Sequence, residues 1–490
     1  MVISIITLYK INNMKKHVFF SFILLCSSVH LVAQQSGLSE NKKQLLATIA
    51  KHEKEMIRIS DSVWTYAETA FGEHQSAKIL ADYAEKNGFT MQRNVAEMPT
   101  AFIASYGSGK PIIAVLGEYD ALPGLSQKAV PGRDVRIENA PGHGCGHNLF
   151  GTGSLGAAIA IKELIAKGKI KGTVRFYGTP AEESGGGKSY MARAGLFNDV
   201  DVSFDWHPDA DIKASMQSSQ AEVDLMIHFK GKSSHAASDP WNGRSASDAA
   251  ELCANGINFY REHIKPSARL HYTIDESGNV PNVVPEKASL WLWIRDSKRT
   301  GVVEMEKRVR DIIKGAALMA GVEYTIELQA GSYEVLVIEA GAKAMQKNLE
   351  LIGPIVYSKE EIDFANSIQK NYGLEPLGIN GKINPLEQQR ADPDGGSTDV
   401  GDVSWIVPEV GLLVTTAPAK SPWHSWVVVA CGGMSIGHKG MMFASKALSF
   451  TMLDMFENDK LREEVKAEFL KKKGNEVYTP MLPDTAPPLR

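Results

Sequence analysis

Between Ala221 and Leu328 the chain abandons the rhythm it keeps elsewhere, and that interruption constrains the fold more than any other feature. Before it, short apolar runs alternate with helix-length segments. Pro111–Gly117 reads as a strand, Leu155–Lys167 as a helix, Thr173–Tyr177 as a strand and Ser189–Leu196 as a short helix. This alternation implies an α/β core around a buried sheet, with sites at the carboxyl ends of its strands. A helical pattern from Asn41 to Gly88 precedes it, with Ile49, Met56, Ile59, Val63, Ile79, Leu80 and Tyr83 at three- and four-residue steps. From Ser219 the texture changes. Ala221–Lys230 alternates apolar and polar residues as a half-buried strand does, Ser245–Glu262 reads as a helix, and Arg269–Ile274 and Ala288–Arg295 as strands. Val302–Met319 is a second helix and Glu323–Leu328 a last strand. The order β-α-β-β-α-β fits a ferredoxin-like sandwich inserted into the α/β core. After Gly331 the first texture resumes, through a strand at Gly411–Thr415 to a long helix near Ala444–Phe456.

A chain of 490 residues exceeds one typical domain. The expected division is a leader over 1–33, a catalytic α/β domain over 34–218 and 331–473, the inserted domain over 219–330, and a proline-bearing tail over 474–490 that wraps the surface or is disordered. The net charge of -4 gives no basic excess for nucleic acid. Lys15 and Lys16, the apolar run Val18–Leu25 and the small residue Ala33 describe a secretory signal peptide, so the chain is expected to be exported, periplasmic or secreted, and free of the membrane after cleavage. An uncleaved anchor is the alternative. Beyond the leader remain Cys145, Cys253 and Cys431, an odd number that gives no disulfide framework, so at least one should be a buried thiol or a ligand.

Four segments carry residues suited to chemistry. In His143-Gly144-Cys145-Gly146-His147-Asn148, thiol and imidazole stand two positions apart among glycines that let the backbone fold sharply toward one ion. Alone, the pattern fits a buried thiol beside a histidine equally well. Glu182 and Glu183 follow the Thr173–Tyr177 strand and precede glycines at 185–187. One carboxylate can bind metal while its neighbour takes a proton from water, although a solvated acidic turn has the same appearance. His207, locked by Pro208, and His424, in Ser421–Trp426, complete the set, each alternatively a structural histidine. Gly187-Lys188-Ser189 resembles the end of a phosphate-binding loop, but Glu182 occupies the position of the required first glycine. Together Cys145, His147, Glu183, His207 and His424 exceed what a single zinc needs and suit two divalent ions. A cysteine nucleophile at Cys145 would leave the paired carboxylates and the other histidines unused.

Several of these segments, with Gly117–Pro123, resemble the M20 family of metallopeptidases and amidohydrolases. Trp64–Glu68, His143–Asn148 and Gly396–Ser404 resemble, more narrowly, its aminobenzoyl-glutamate utilization protein B branch. The resemblance runs from about residue 45 to 455. It implies that Cys145, His147, Glu183, His207 and His424 hold two divalent ions, zinc or manganese, that Glu182 is the general base and that Asp120 orients the site. It implies also that the inserted domain is a dimerising lid giving a homodimer, with His235 over the neighbouring protomer's site and Asn282 and Arg295 binding substrate. Arg295 is alternatively a salt-bridged strand end, and His235 merely solvated. Two positions depart from the pattern: Glu118 stands where many relatives carry a ligating histidine, and Asn148 replaces an aspartate. The implied reaction is hydrolysis of the amide bond in an N-acyl amino acid, aminobenzoyl-glutamate-like aryl amides first and dipeptides next. The competing class is a metal-loaded subunit that is inactive or depends on a second, different chain, or a peptide-binding protein.

Overall fold

The computed structural model describes residues 37–393 and 395–489; the expected leader lies outside the described residues. The helical stretch at the start is two helices, α1 (Glu40–Tyr66) and α2 (His74–Lys86). The break falls at Ala67, which adopts left-handed geometry with φ 45° and donates its N–H back to the Val63 carbonyl. The carboxylate of Glu68 then accepts the N–H groups of Gln75 and Ser76, the otherwise unpaired donors of the next helix start. A left-handed backbone turn ends one helix and a side-chain cap begins the other, both invisible to hydrophobic period.

Strands β1 (Thr90–Arg93), β2 (Phe102–Ser108) and β3 (Ile112–Gly117) lead to helix α3 (His147–Ala166), then β4 (Gly172–Gly178), α4 (Gly187–Arg193) and β5 (Val202–Phe204). The short strands β6 (His207–Asp209) and β7 (Lys213–Ala214) follow. The main sheet runs β1-β2-β4-β3-β5-β12, where β12 is Glu409–Val410, and β4, β3, β5 and β12 are mutually parallel. Every residue of β3 is buried, as expected of a strand covered on both faces. Helix α3 is apolar and long enough to cross a membrane, but 78% of that stretch is buried here, against α1, β3 and the long C-terminal helix. It begins eight residues before the expected Leu155, because its first turn is the glycine-flanked motif itself.

The inserted stretch folds as expected in order. β8 (Ala221–Lys230), α5 (Ala246–Tyr260), β9 (Arg269–Glu276), β10 (Lys287–Asp296), α6 (Arg299–Ala320) and β11 (Glu323–Ser332) build an antiparallel sheet in the order β11-β8-β10-β9. Val223, Leu225, Ile227 and Phe229 alternate inward along β8 and pack with Leu290, Leu292 and Ile294 of β10 beneath the two helices, in an apolar core separate from that of the main sheet. Each such aliphatic side chain contributes roughly 1.5–3 kcal/mol on burial.

The chain then returns through α7 (Glu339–Ile352), α8 (Lys359–Tyr372), α9 (Val400–Ser404), β12, β13 (Leu412–Thr415), α10 (Trp426–Gly432), α11 (Ser435–Glu457) and α12 (Asp459–Lys473). The tail after Gly474 wraps the surface: Met481 and Leu482 are buried, and Arg193 donates to the carbonyls of Pro483 and Thr485.

Candidate metal centre

Three adjacent parallel strands end at one place. Glu118 and Asp120 follow β3, Glu182 and Glu183 follow β4, and Asp205 and His207 follow β5. His147 opens α3, and His424 arrives from the loop before α10. Glycine makes this convergence possible. At Gly144 a Cβ would lie 2.5 Å from Leu125 Cδ1 and 3.3 Å from the His424 Cα, and the Gly144 carbonyl accepts the His424 N–H at 3.0 Å. Gly146, with φ +79°, caps α3 with no room for a side chain against Pro208.

The expected donors come together in two sets that share one sulfur. Cys145, His147 and His207 offer ligand atoms within 4.8 Å of one another, and so do Cys145, Glu183 and His424. Cys145 Sγ is 3.3 Å from His207 Nε2, and His424 Nε2 is 3.4 Å from Glu183 Oε2. Those are separations that two donors adopt when each is about 2.0–2.3 Å from a common ion. Asp120 orients both sets: one oxygen pairs with His147 Nδ1 at 2.8 Å and the other accepts the Glu183 N–H at 2.8 Å. This leaves His147 Nε2 turned inward. His207 Nδ1 meets the Pro208 carbonyl at 2.7 Å, which turns its Nε2 inward as well.

The donor set fits metal on a further count. His147 Nε2, Glu183 Oε1 and Glu118 Oε2 are buried without a hydrogen-bond partner, a cost that a cation would relieve. The electrostatics agree. Burial, with Glu118 and Glu183 beside it, holds the Glu182 carboxyl well above the usual range, and burial with Asp120 and Glu118 pushes Glu183 to about 7. Burial raises the Cys145 thiol, while burial and neighbouring His147 depress His207 to about 4. His147 is raised despite burial, because Cys145, Glu118 and Asp120 surround it. So many acidic groups facing so few cations leave positive charge to be supplied from outside the chain. Cys253 and Cys431 are buried free thiols and belong to neither donor set.

A cavity of about 660 Å³ opens on the centre, lined by Glu182, Glu183, Cys145, His207 and His424 and, across it, by Trp293 and Arg295 of β10. Arg295 is ion-paired with Glu222 at 3.0 Å and stacks on Trp293. His235 and Asn282 are not brought to this cavity. They stand on adjacent exposed turns of the inserted domain, where the Asn282 carbonyl accepts the Ala236 N–H and His235 Nδ1 accepts from Ala237 and Ser238.

Sequence reading passed over three groups. Lys188, dismissed with the phosphate-loop look-alike, is fully buried between Glu118 and Asp399 at 2.6 Å from each. Glu73, raised to about 8 by burial and by Asp120, accepts the Ala181 N–H and so fixes that residue at φ 60°, immediately before Glu182. Asp205 and the buried Glu409 form an acid pair lining the cavity. Nothing in the sequence around Lys188 marks its burial; once buried, its ammonium must meet carboxylates.

Sulfur, imidazole and carboxylate donors at the carboxyl ends of parallel strands, beside a free carboxyl group, define a metal-assisted hydrolase. Residues 114–359 match the peptidase family M20/M25/M40, and the chain belongs to that family. It is 39% identical over 458 residues to one subunit of the p-aminobenzoyl-glutamate hydrolase of Escherichia coli (strain K12), covering 88% of this chain and 95% of that one. It is 28% identical over 445 residues to the Xaa-Arg dipeptidase of Homo sapiens, covering 86% and 90%. A dinuclear metal-binding peptidase of the M20 family from Bacillus subtilis has a similar fold, with TM-score 0.56 at 18% identity over 83% of this chain and 99% of that one.

Proposed function

We propose that the chain cleaves the amide bond of N-acyl amino acids, with aminobenzoyl-glutamate-like aryl amides as first substrates and dipeptides as the second class. The observation that carries this reading is the pair of donor sets joined at Cys145, with Glu182 on the same cavity. The relatives' names support the two substrate classes in that order.

Cys145, His147 and His207 would hold one divalent ion, and Cys145, Glu183 and His424 a second, zinc or manganese. Bound there, the ions would supply the charge that acidifies a water and polarises the scissile carbonyl. Glu182 takes the proton from the attacking water and returns it to the leaving amine. Asp120 holds His147 and Glu183 in register throughout. Arg295, already beside Glu222, would meet the free carboxylate of the amino-acid half. Glu182→Gln should lower turnover at least 100-fold while bound metal is unchanged. Turnover surviving in that variant would remove the proposal's general base.

The four-stranded domain, residues 219–330, serves in this reading as a ferredoxin-like lid and dimerisation module between the two parts of the catalytic domain, 34–218 and 331–473. His235 and Asn282, together on exposed turns outside their own cavity, suit a second copy's site. Mixing Glu182→Gln and His235→Ala protomers, each inactive alone, should restore part of the activity; failure to complement would place His235 outside the reaction. The Escherichia coli relative is named as one of two kinds of subunit in its hydrolase, which supports a second, different chain as the alternative partner. Export, with a mature chain starting at Gln34, completes the proposal and is checked by sequencing the N-terminus of protein from the periplasm or medium.

A further inference from the structure

Lys188 has no part in the chemistry above, yet its ammonium is fully buried, at a cost of several kcal/mol unless well paired. It contacts Glu118 Oε1 at 2.6 Å and Asp399 Oδ1 at 2.6 Å, while the second oxygen of Asp399 accepts the Lys188 backbone N–H at 2.8 Å. Asp399 is thus held at both oxygens. Glu118 is held at one. Its Oε2 is buried, has no hydrogen-bond partner and lies 3.1 Å from the inward Nε2 of His147. Glu118, His147 and Glu182 also offer ligand atoms within 4.8 Å of one another.

We propose that Glu118 is a sixth donor of the metal centre, giving its free oxygen to the ion on His147, and that the Lys188–Asp399 pair fixes it in that attitude. The inference rests on the metal-dependent reading. A lysine on one oxygen makes the carboxylate a single-point donor and prevents it from turning away. It also accounts for the neighbouring departure at Asn148, whose amide donates to Ser60 Oγ and the Gly432 carbonyl at 3.1 Å each and takes no place among the donors. The carboxylate that position lacks is supplied from β3 instead.

The test strips wild type, Glu118→Gln, Glu118→Asp and Lys188→Met of metal and titrates each with zinc or cobalt against a competing chelator, folding being checked by near-ultraviolet circular dichroism. Wild type should take two ions. Glu118→Gln should keep one at wild-type affinity and bind the other at least tenfold more weakly, and Lys188→Met should weaken that same ion by about 10–100-fold, as loss of a supporting partner does. Glu118→Asp keeps the charge but withdraws the oxygen by one methylene, so it should fall between wild type and Glu118→Gln, and it carries the test if the glutamine variant does not fold. Two ions at wild-type affinity in both Glu118 variants would overturn the sixth donor alone. A wild type that takes no divalent ion would overturn the metal-dependent reading and this inference with it.

Discussion

Inside the four-stranded domain Val223, Leu225, Ile227, Leu290, Leu292 and Ile294 face the helices, and the buried carboxylate Asp296 stands only at the end of that face, against Gly301. At the same depth beneath the ends of β3, β4 and β5 stand Glu118, Asp120, His147, Lys188 and Asp399. The first interior is stabilised by removing apolar surface from water and would be much the same with other aliphatic residues of like volume. The second opposes folding at nearly every member, since each charge must be matched by a partner held in place. A protein that keeps such an interior beside a dry one has located its chemistry there.

The largest effect should come from unpairing the ionic interior. Lys188→Met leaves Glu118 and Asp399 facing each other without their cation, and breaking a buried pair in this way costs about 3–5 kcal/mol. Urea unfolding of metal-free protein measures it. Adding Glu118→Gln and Asp399→Asn to the same chain should recover much of the loss, because the charges then vanish together. A single variant as stable as wild type would mean that the interior is wetter than the comparison supposes.

A truncation in the dry interior should come next. Leu225 is fully buried in β8, and Leu225→Ala should cost about 2–5 kcal/mol from lost burial and the cavity left behind. Metal content should be unchanged, since none of the candidate donors lies in that core. If elemental analysis showed metal lost along with stability, the two interiors would be coupled and the contrast between them would fail.

The same contrast explains what could be read in the chain before its structure. Alternation along Ala221–Lys230 and Ala288–Arg295 and helical spacing in between reflect local burial, so the order of elements in the inserted stretch was legible, with ends displaced by up to four residues, as at Ser332. Cys145, His147, Glu183, His207 and His424, which the fold brings together, were legible as a group because cysteine, histidine and paired acids beside glycine are an uncommon combination. Lys188, Glu73, Glu118 and Asp399 were not. Their meaning lies in partners up to 211 positions away, as between Lys188 and Asp399, and no local period records such a pairing. The break at Ala67 is hidden for a related reason: the apolar spacing runs on past a left-handed backbone turn, after which the carboxylate of Glu68 caps the next helix. Helix α3 starts earlier than its apolar spacing suggests because its first turn, His147 onward from the N-cap Gly146, reads as a glycine-rich loop.

Asp224 sharpens the comparison from the other side, as an acid on the face of β8 opposite the helices. Burial raises it to about 7, against the lowering effect of Trp291, whose indole Nε1 donates to it at 2.5 Å. An acid raised above its unfolded value of 3.8 favours the folded state while protonated, so its contribution is complete below about pH 4 and is lost as pH rises through 7. The inserted domain should therefore lose stability between about pH 4 and pH 7, on the order of 2 kcal/mol once partial solvent access is allowed for. Asp224→Asn, which can still accept the indole N–H, should flatten that slope. The difference in unfolding free energy between the two proteins, followed by urea titration across that range, is the measurement. A constant difference would mean that Asp224 is ionised in the fold throughout, and that even the dry domain tolerates a buried charge without changing its proton affinity.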